Sequence, residues 1–99
     1  YIHKPTASYM NFVANDFRDL DNYSAAIQLY EMALEKKPDD VKVYVNLSDT
    51  YYKLGETKMA KKSFQKTKKL LDLNKNDLSE NYYKNVMEWV DEKLVALNE

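Results

Sequence analysis

Few side chains in this 99-residue chain are of a kind that does covalent or proton-transfer chemistry. The one histidine is His3, cysteine is absent, and Gly55 is the single glycine. A nucleophile needs an adjacent base, and a phosphate cradle needs several glycines before a helix, so neither site can be assembled. The 16 carboxylates are spaced along helix exteriors and at helix starts, whereas acid–base catalysis needs a desolvated, perturbed pair. No Cys or His spacing fits a metal centre. No catalytic residue, metal or cofactor is therefore assigned, and no enzymatic activity is expected. What the chain carries instead are amides, charges and rings at helical intervals: Asn11, Asn15 and Arg18, then Lys42, Asn46, Asp49, Tyr52 and Lys53. An asparagine amide donates and accepts together, so it can bond the backbone of an extended peptide. A tyrosine offers apolar area with a polar tip at little entropic cost. This is chemistry for holding a polypeptide.

The elements that position these groups follow from composition. One Gly and two Pro, Pro5 and Pro38, are too few for the turns of a sheet protein, so the chain reads as all-α. Its length suits one domain, burying roughly 60–65% of the surface exposed on unfolding. Fifteen basic residues against 16 acidic leave a net charge of −1, without the basic excess that binding to phosphates requires, so no nucleic-acid partner is expected. The absence of cysteine excludes disulfides and leaves cytosol and periplasm open, with the cytoplasm as the default. No apolar run approaches the ~20 residues of a membrane span, and no basic segment followed by an apolar one marks a signal peptide. A start at Tyr1 is expected of a processed product or of a piece of a longer chain.

Internal similarity appears at a constant offset along the chain. Met10, Val13, Ala14 and Phe17 align with Tyr44, Leu47, Ser48 and Tyr51, and Ala26, Tyr30 and Ala33 align with Ala60, Phe64 and Thr67. The first set in each unit recurs at i, i+3, i+4 and i+7, one face of a helix. In the second set a small residue lets two helices approach, and a ring one turn later fills the groove beside it. Asp21-Asn22 and Leu54-Gly55-Glu56 punctuate the two hairpins, because Gly, and less readily Asn or Asp, adopts the left-handed conformation that ends a helix. This spacing resembles the tetratricopeptide-repeat (TPR) family over residues 7 to about 73, with Pro38 where the pattern closes its first unit. Two positions depart from the pattern: Asp72, where proline is expected, and Asp21, where the second unit has Gly55.

Helices are predicted at about Thr6–Leu20, Asn22–Lys37, Asp40–Leu54, Glu56–Leu73 and Leu78–Leu97. Asp39 or Asp40 can cap the third, and Asp77, with Glu80 three residues on, can cap the fifth. The last segment is apolar around half its circumference, as in the helix with which TPR arrays cover their final hairpin. The resemblance implies a right-handed superhelical stack of two hairpins, about 7–40 and 41–74, behind a leader at 1–5 and closed by a capping helix at about 78–97 within a domain spanning 6–99.

The resemblance also implies where function lies. The first helix of each hairpin lines a concave groove, into which Asn11, Asn15 and Arg18, together with Lys42, Asn46, Asp49, Tyr52 and Lys53, would point. Some co-chaperone TPRs grip acidic tails with a clamp of two Asn and three basic residues. Asn15 and Asn46 fall at the Asn positions, but Asn11 and the region of Asn76, Asp77 and Glu80 stand where cations are required, so no such clamp is expected. Lysines 58, 61, 62, 66, 68 and 69 are expected on the solvated outer face, opposite Ala60 and Phe64, or as a docking strip for an acidic partner. The apolar arc of the last helix is expected to be covered by the preceding hairpin; alternatively Tyr82 and Trp89, at its margin, would meet a second copy of the chain or the rest of a parent chain. The function expected is a protein–protein interaction module binding a peptide or partner surface through the groove. The alternatives are a C-terminal TPR appendage of a larger enzyme, such as a hydrolase, and a unit that self-associates through its last helix.

Overall fold

The structure, a computed structural model, describes residues 5–98. His3 lies outside the described residues. Five α-helices follow one another: α1 (Ala7–Asp19), α2 (Tyr23–Lys36), α3 (Val41–Leu54), α4 (Thr57–Leu73) and α5 (Glu80–Leu97), with a 3-10 turn at Lys75–Asp77 before the last. The described residues contain no strand.

Side chains short enough to reach back to the first-turn amides start four of these helices. Thr6 accepts from the Tyr9 amide at 3.1 Å, Asn22 from Ala25 at 3.4 Å, Asp40 from Val43 at 3.5 Å and Ser79 from Tyr82 at 3.1 Å. The cap of α5 corrects the expectation for Asp77. The chain makes an extra 3-10 turn after α4, Asp77 is consumed in it, and Ser79 takes the capping position. Helix α5 therefore begins at Glu80 and not at Leu78. Helix ends follow the repeat more closely. Gly55, at φ 86°, and Asp21, at φ 62°, both adopt the left-handed conformation. In each case two amides return to the preceding turn: Asp21 to Arg18 O and Asn22 to Phe17 O, then Gly55 to Tyr52 O and Glu56 to Tyr51 O. This is one Schellman-type ending used twice, at matching positions of the two repeats, with Asp doing at 21 what Gly does at 55.

Each pair of consecutive helices packs as a hairpin, α2 packs on α3, and α4 on α5. The aligned residues Ala26, Tyr30, Ala33, Ala60, Phe64 and Thr67 are all fully enclosed. Where α3 approaches α4, Ser48 and Thr67 bring their hydroxyls to 3.1 Å in the core, each also reaching a carbonyl of its own helix, so burial leaves no orphaned donor. Leu70, Leu71, Phe64, Val43 and Val90 fill the remainder, each contributing roughly 1.5–3 kcal/mol on burial. Helix α5 closes the stack. Trp89 sets its ring edge-on to Phe64, with centroids 5.2 Å apart, and Lys68 meets Asp91 at 2.7 Å. Asp72, the residue in place of the expected proline, accepts a hydrogen bond from the Tyr83 hydroxyl at 2.6 Å.

Candidate functional site

Helices α1 and α3, the first of each hairpin, lie side by side, and polar groups join them where they meet. Arg18 donates to Asn46 Oδ1 at 3.2 Å, and Asn46 Nδ2 donates to Asn11 Oδ1 at 3.0 Å. An arginine can only donate, so it fixes which end of the Asn46 amide faces it and leaves the amide hydrogens for Asn11. The Arg18 guanidinium also stands 4.0 Å from Asp49, which in turn meets Lys53 one turn on at 3.3 Å. Its Nε lies 3.5 Å from Asp19, an ionic contact without hydrogen-bond alignment, and this buried atom makes no hydrogen bond. Five of the eight groove residues named from the sequence, Asn11, Arg18, Asn46, Asp49 and Lys53, thus form one chain of contacts.

The other three go elsewhere. Asn15 turns inward and accepts from the hydroxyl of Tyr30, whose pKa burial raises. Tyr52 is half-buried, edge-on to Phe64 with centroids 6.3 Å apart, and its face carries Lys93 of α5 at 4.6 Å. Tyr52 therefore braces the capping helix. Lys42 is exposed at the far end of α3, beside an open hollow of about 700 Å³ between the α2–α3 and α4–α5 connections. Although that hollow is roomier than the two clefts described below, the Lys37–Asp40 ion pair, at 3.8 Å, is the one charge contact formed there among the described residues.

A smaller cleft of about 330 Å³ adjoins the polar chain, between α3 and α5. Val45, Val86 and Trp89 give it apolar wall, and Asn46, Asp49 and Asn85 give it polar groups. Val45 is a groove position of the second repeat by sequence, whereas Asn85 and Val86 were absent from the residues named for the site and Trp89 was assigned to another role. The signal available was the register of the last helix. Counting one repeat on from α3 points to Asn76 and Glu80, but the 3-10 turn delays α5, and Asn85 comes to the cleft instead. Tyr82 is half-buried against the core, and burial, with a smaller push from Asp40, raises its phenol pKa.

The lysine stripe is not a uniform solvated face. Lys62 and Lys66 border a cleft of about 280 Å³ that contains Leu34, Tyr44, Leu47 and Met59, while Lys68 pairs with Asp91. In the wall of that cleft Tyr51 donates to Glu31 at 2.9 Å, and burial, reinforced by this carboxylate, pushes its pKa up to about 12. Among the described residues no group of three or more His, Asp or Glu is placed to hold a metal ion, and no helix is long and apolar enough to cross a membrane.

Comparison with known families bears on this arrangement. Residues 14–55 match the model of a TPR repeat, and residues 41–70 match a second model of the tetratricopeptide repeat, so the two together span 14–70. The chain belongs to the TPR family. TPR repeats serve as protein–protein interaction modules, generally as non-catalytic scaffolds, and typically bind proteins or peptides. Among curated proteins, this TPR chain is similar to the transcription factor tau 131 kDa subunit of Saccharomyces cerevisiae, at 32% identity over 44 residues. That match covers 44% of this chain and 4% of the yeast protein. It is also similar to human protein O-mannosyl-transferase TMTC3, at 29% identity over 70 residues, covering 71% of this chain and 8% of the human protein. The TPR chain thus spans less than a tenth of the length of either relative.

Proposed function

We propose that this TPR domain holds a segment of a partner polypeptide in the cleft between α3 and α5. One observation carries the reading: an apolar wall of Val45, Val86 and Trp89 faces convergent polar groups on Asn46, Asp49 and Asn85. Binding sites combine apolar area, which supplies affinity, with a few polar groups, which fix orientation. An apolar side chain of the ligand fits against Trp89 and the two valines, while its backbone bonds to the Asn85 amide and the Asp49 carboxylate. Asn46 is already held by Asn11 and Arg18, so it presents a fixed surface and loses little entropy on binding.

The test is affinity capture with the wild-type domain, an Asn85→Arg variant that fills the cleft, and a Lys69→Glu control on the far face. Asn85 and Lys69 are both exposed, so both variants are expected to keep the fold. A partner retained by wild type and Lys69→Glu but lost by Asn85→Arg supports the reading; equal retention by all three rejects it.

A second reading, in which the domain is a non-catalytic part of a much larger protein, is favoured by the small shares of both relatives that it matches, 4% and 8%. Under that reading the cleft recruits a partner to the rest of the protein, and the complete reading frame tests it directly.

A further inference from the structure

The repeat lets each position of α1 be compared with its counterpart in α3. On α3, Val43, Leu47 and Thr50 form a stripe on the side turned toward the first hairpin, and they are 1%, 4% and 0% exposed. Helix α2 packs on this helix, with the Tyr30 hydroxyl beside Thr50. The counterparts on α1 are Tyr9, Val13 and Asp16. Tyr9 is 60% exposed, Asp16 is exposed and Val13 is only half-buried, while Phe12 and Leu20 beside them are 64% and 77% exposed. The stripe that is covered in the second hairpin thus lies open in the first, with an aromatic ring at its head.

The two ends of the stack differ in the same sense. A solenoid end in water requires a polar outer face. Helix α5 has one, since Asn81, Lys84, Asn85, Glu88 and Glu92 are exposed along most of its length. Helix α1 presents two aromatic rings instead, a patch of the sort that marks a contact surface. A second copy of the chain fits poorly there. Head-to-tail stacking would set the rings of α1 against an end of the stack where Asn81, Lys84, Asn85, Glu88 and Glu92 are exposed and Val95 is the one exposed large apolar residue of α5 among the described residues. The approach to α1 does match a connection between repeats. Lys4-Pro5 leads to the cap Thr6 as Lys37-Pro38 leads, one residue later, to the cap Asp40, and the two caps occupy the same position of the repeat.

We propose that this face of α1 is a repeat–repeat interface, covered by a further TPR hairpin that lies N-terminal to Tyr1 in the same polypeptide. The second helix of that hairpin crosses Tyr9 and Val13 as α2 crosses Val43 and Leu47, and it brings a donor or a cation to Asp16. The surface is distinct from the α3–α5 cleft. It rests on the reading of the domain as part of a larger protein, and the experiment separates the two.

In the full natural polypeptide, Phe12→p-benzoylphenylalanine is photo-crosslinked and the adduct is mapped by mass spectrometry. The expected product is an intrachain crosslink to a helix within about 34 residues upstream of Tyr1, one repeat length. A crosslink to an upstream segment that is not a repeat hairpin overturns the inference and leaves the larger-protein reading standing. Absence of any upstream segment overturns both, and a crosslink only to another molecule, or none, overturns the inference. As an independent readout, Phe12→Asp in the full polypeptide is expected to speed amide exchange in α1 by roughly tenfold or more, since an uncovered helix opens more readily; unchanged exchange also overturns it.

Discussion

Asp21 and Gly55 end their helices with the same backbone geometry but different side chains, and replacing each side chain is expected to move stability in opposite directions. At both sites the residue is left-handed, φ 62° and φ 86°, and two amides return to the preceding turn at 2.8–3.1 Å. A Cβ in this conformation costs about 1–2 kcal/mol. Asp21→Gly removes that cost. Against it stand the greater freedom of glycine in the unfolded chain, about 0.4–1 kcal/mol, and the loss of the exposed Tyr23 hydroxyl contact to Asp21 at 3.1 Å, a surface term below about 0.5 kcal/mol. The net expectation is a gain of about 0.5 kcal/mol, or a Tm rise of about 2–4 °C for a domain of this size. Gly55→Ala runs the other way. A Cβ at Gly55 meets nothing within 4 Å, so no clash confuses the result and the backbone conformation alone decides it. A loss of about 1 kcal/mol is expected. Urea denaturation followed by far-UV circular dichroism gives both values. A destabilised Asp21→Gly, or a Gly55→Ala as stable as the parent, would refute the claim that a left-handed turn residue terminates both first helices.

Ala60→Leu is expected to cost about 1–3 kcal/mol in the same denaturation assay, because Ala60 is fully enclosed where α4 meets α3. Full stability of that variant would mean that the close α3–α4 contact is misplaced. Alkaline pH is expected to weaken the fold through Tyr51, whose pKa stands at about 12 in the folded state against an ordinary value of 10. Between these values the unfolded chain has released this proton and the folded chain has not, so stability falls as pH rises, by up to about 1.4 kcal/mol per pH unit from this group. Urea midpoints of wild type and Tyr51→Phe at pH 9, 10.5 and 11.5 should therefore converge or cross as pH rises, and parallel curves would contradict the assignment.

Much of the fold was legible because the same physical problem is solved twice. Ala26 with Tyr30 and Ala60 with Phe64 mark close helix contact by a small residue and a filling ring, and both pairs are fully enclosed. The helix starts at Thr6, Asn22 and Asp40 were legible because capping is local chemistry. The start of α5 was less so: Asp77 and Ser79 are both good caps, and the chain takes Asp77 into a 3-10 turn and leaves the capping to Ser79. That two-residue choice also governs the candidate site, because it brings Asn85 and Val86 to the cleft. Asn15 was out of reach for a related reason. Its position on the helix is polar and plausible for a groove, but the Tyr30 hydroxyl arrives from another helix, and periodicity along α1 carries no trace of it. Trp89 read as a margin residue because its helix is broadly apolar, whereas its ring rests on Phe64 and borders the cleft.

The central claim is that a polypeptide lies between α3 and α5. The direct measurement is a titration of ¹⁵N-labelled protein with a peptide spanning the bound segment of a captured partner, followed by amide and indole chemical shifts. The account predicts that the largest shifts fall on the Trp89 indole, the Asn46 and Asn85 side chains and the backbone around Val45 and Val86. Shifts confined to the opposite cleft, around Met59, Lys62 and Lys66, with Trp89 unmoved, would contradict it.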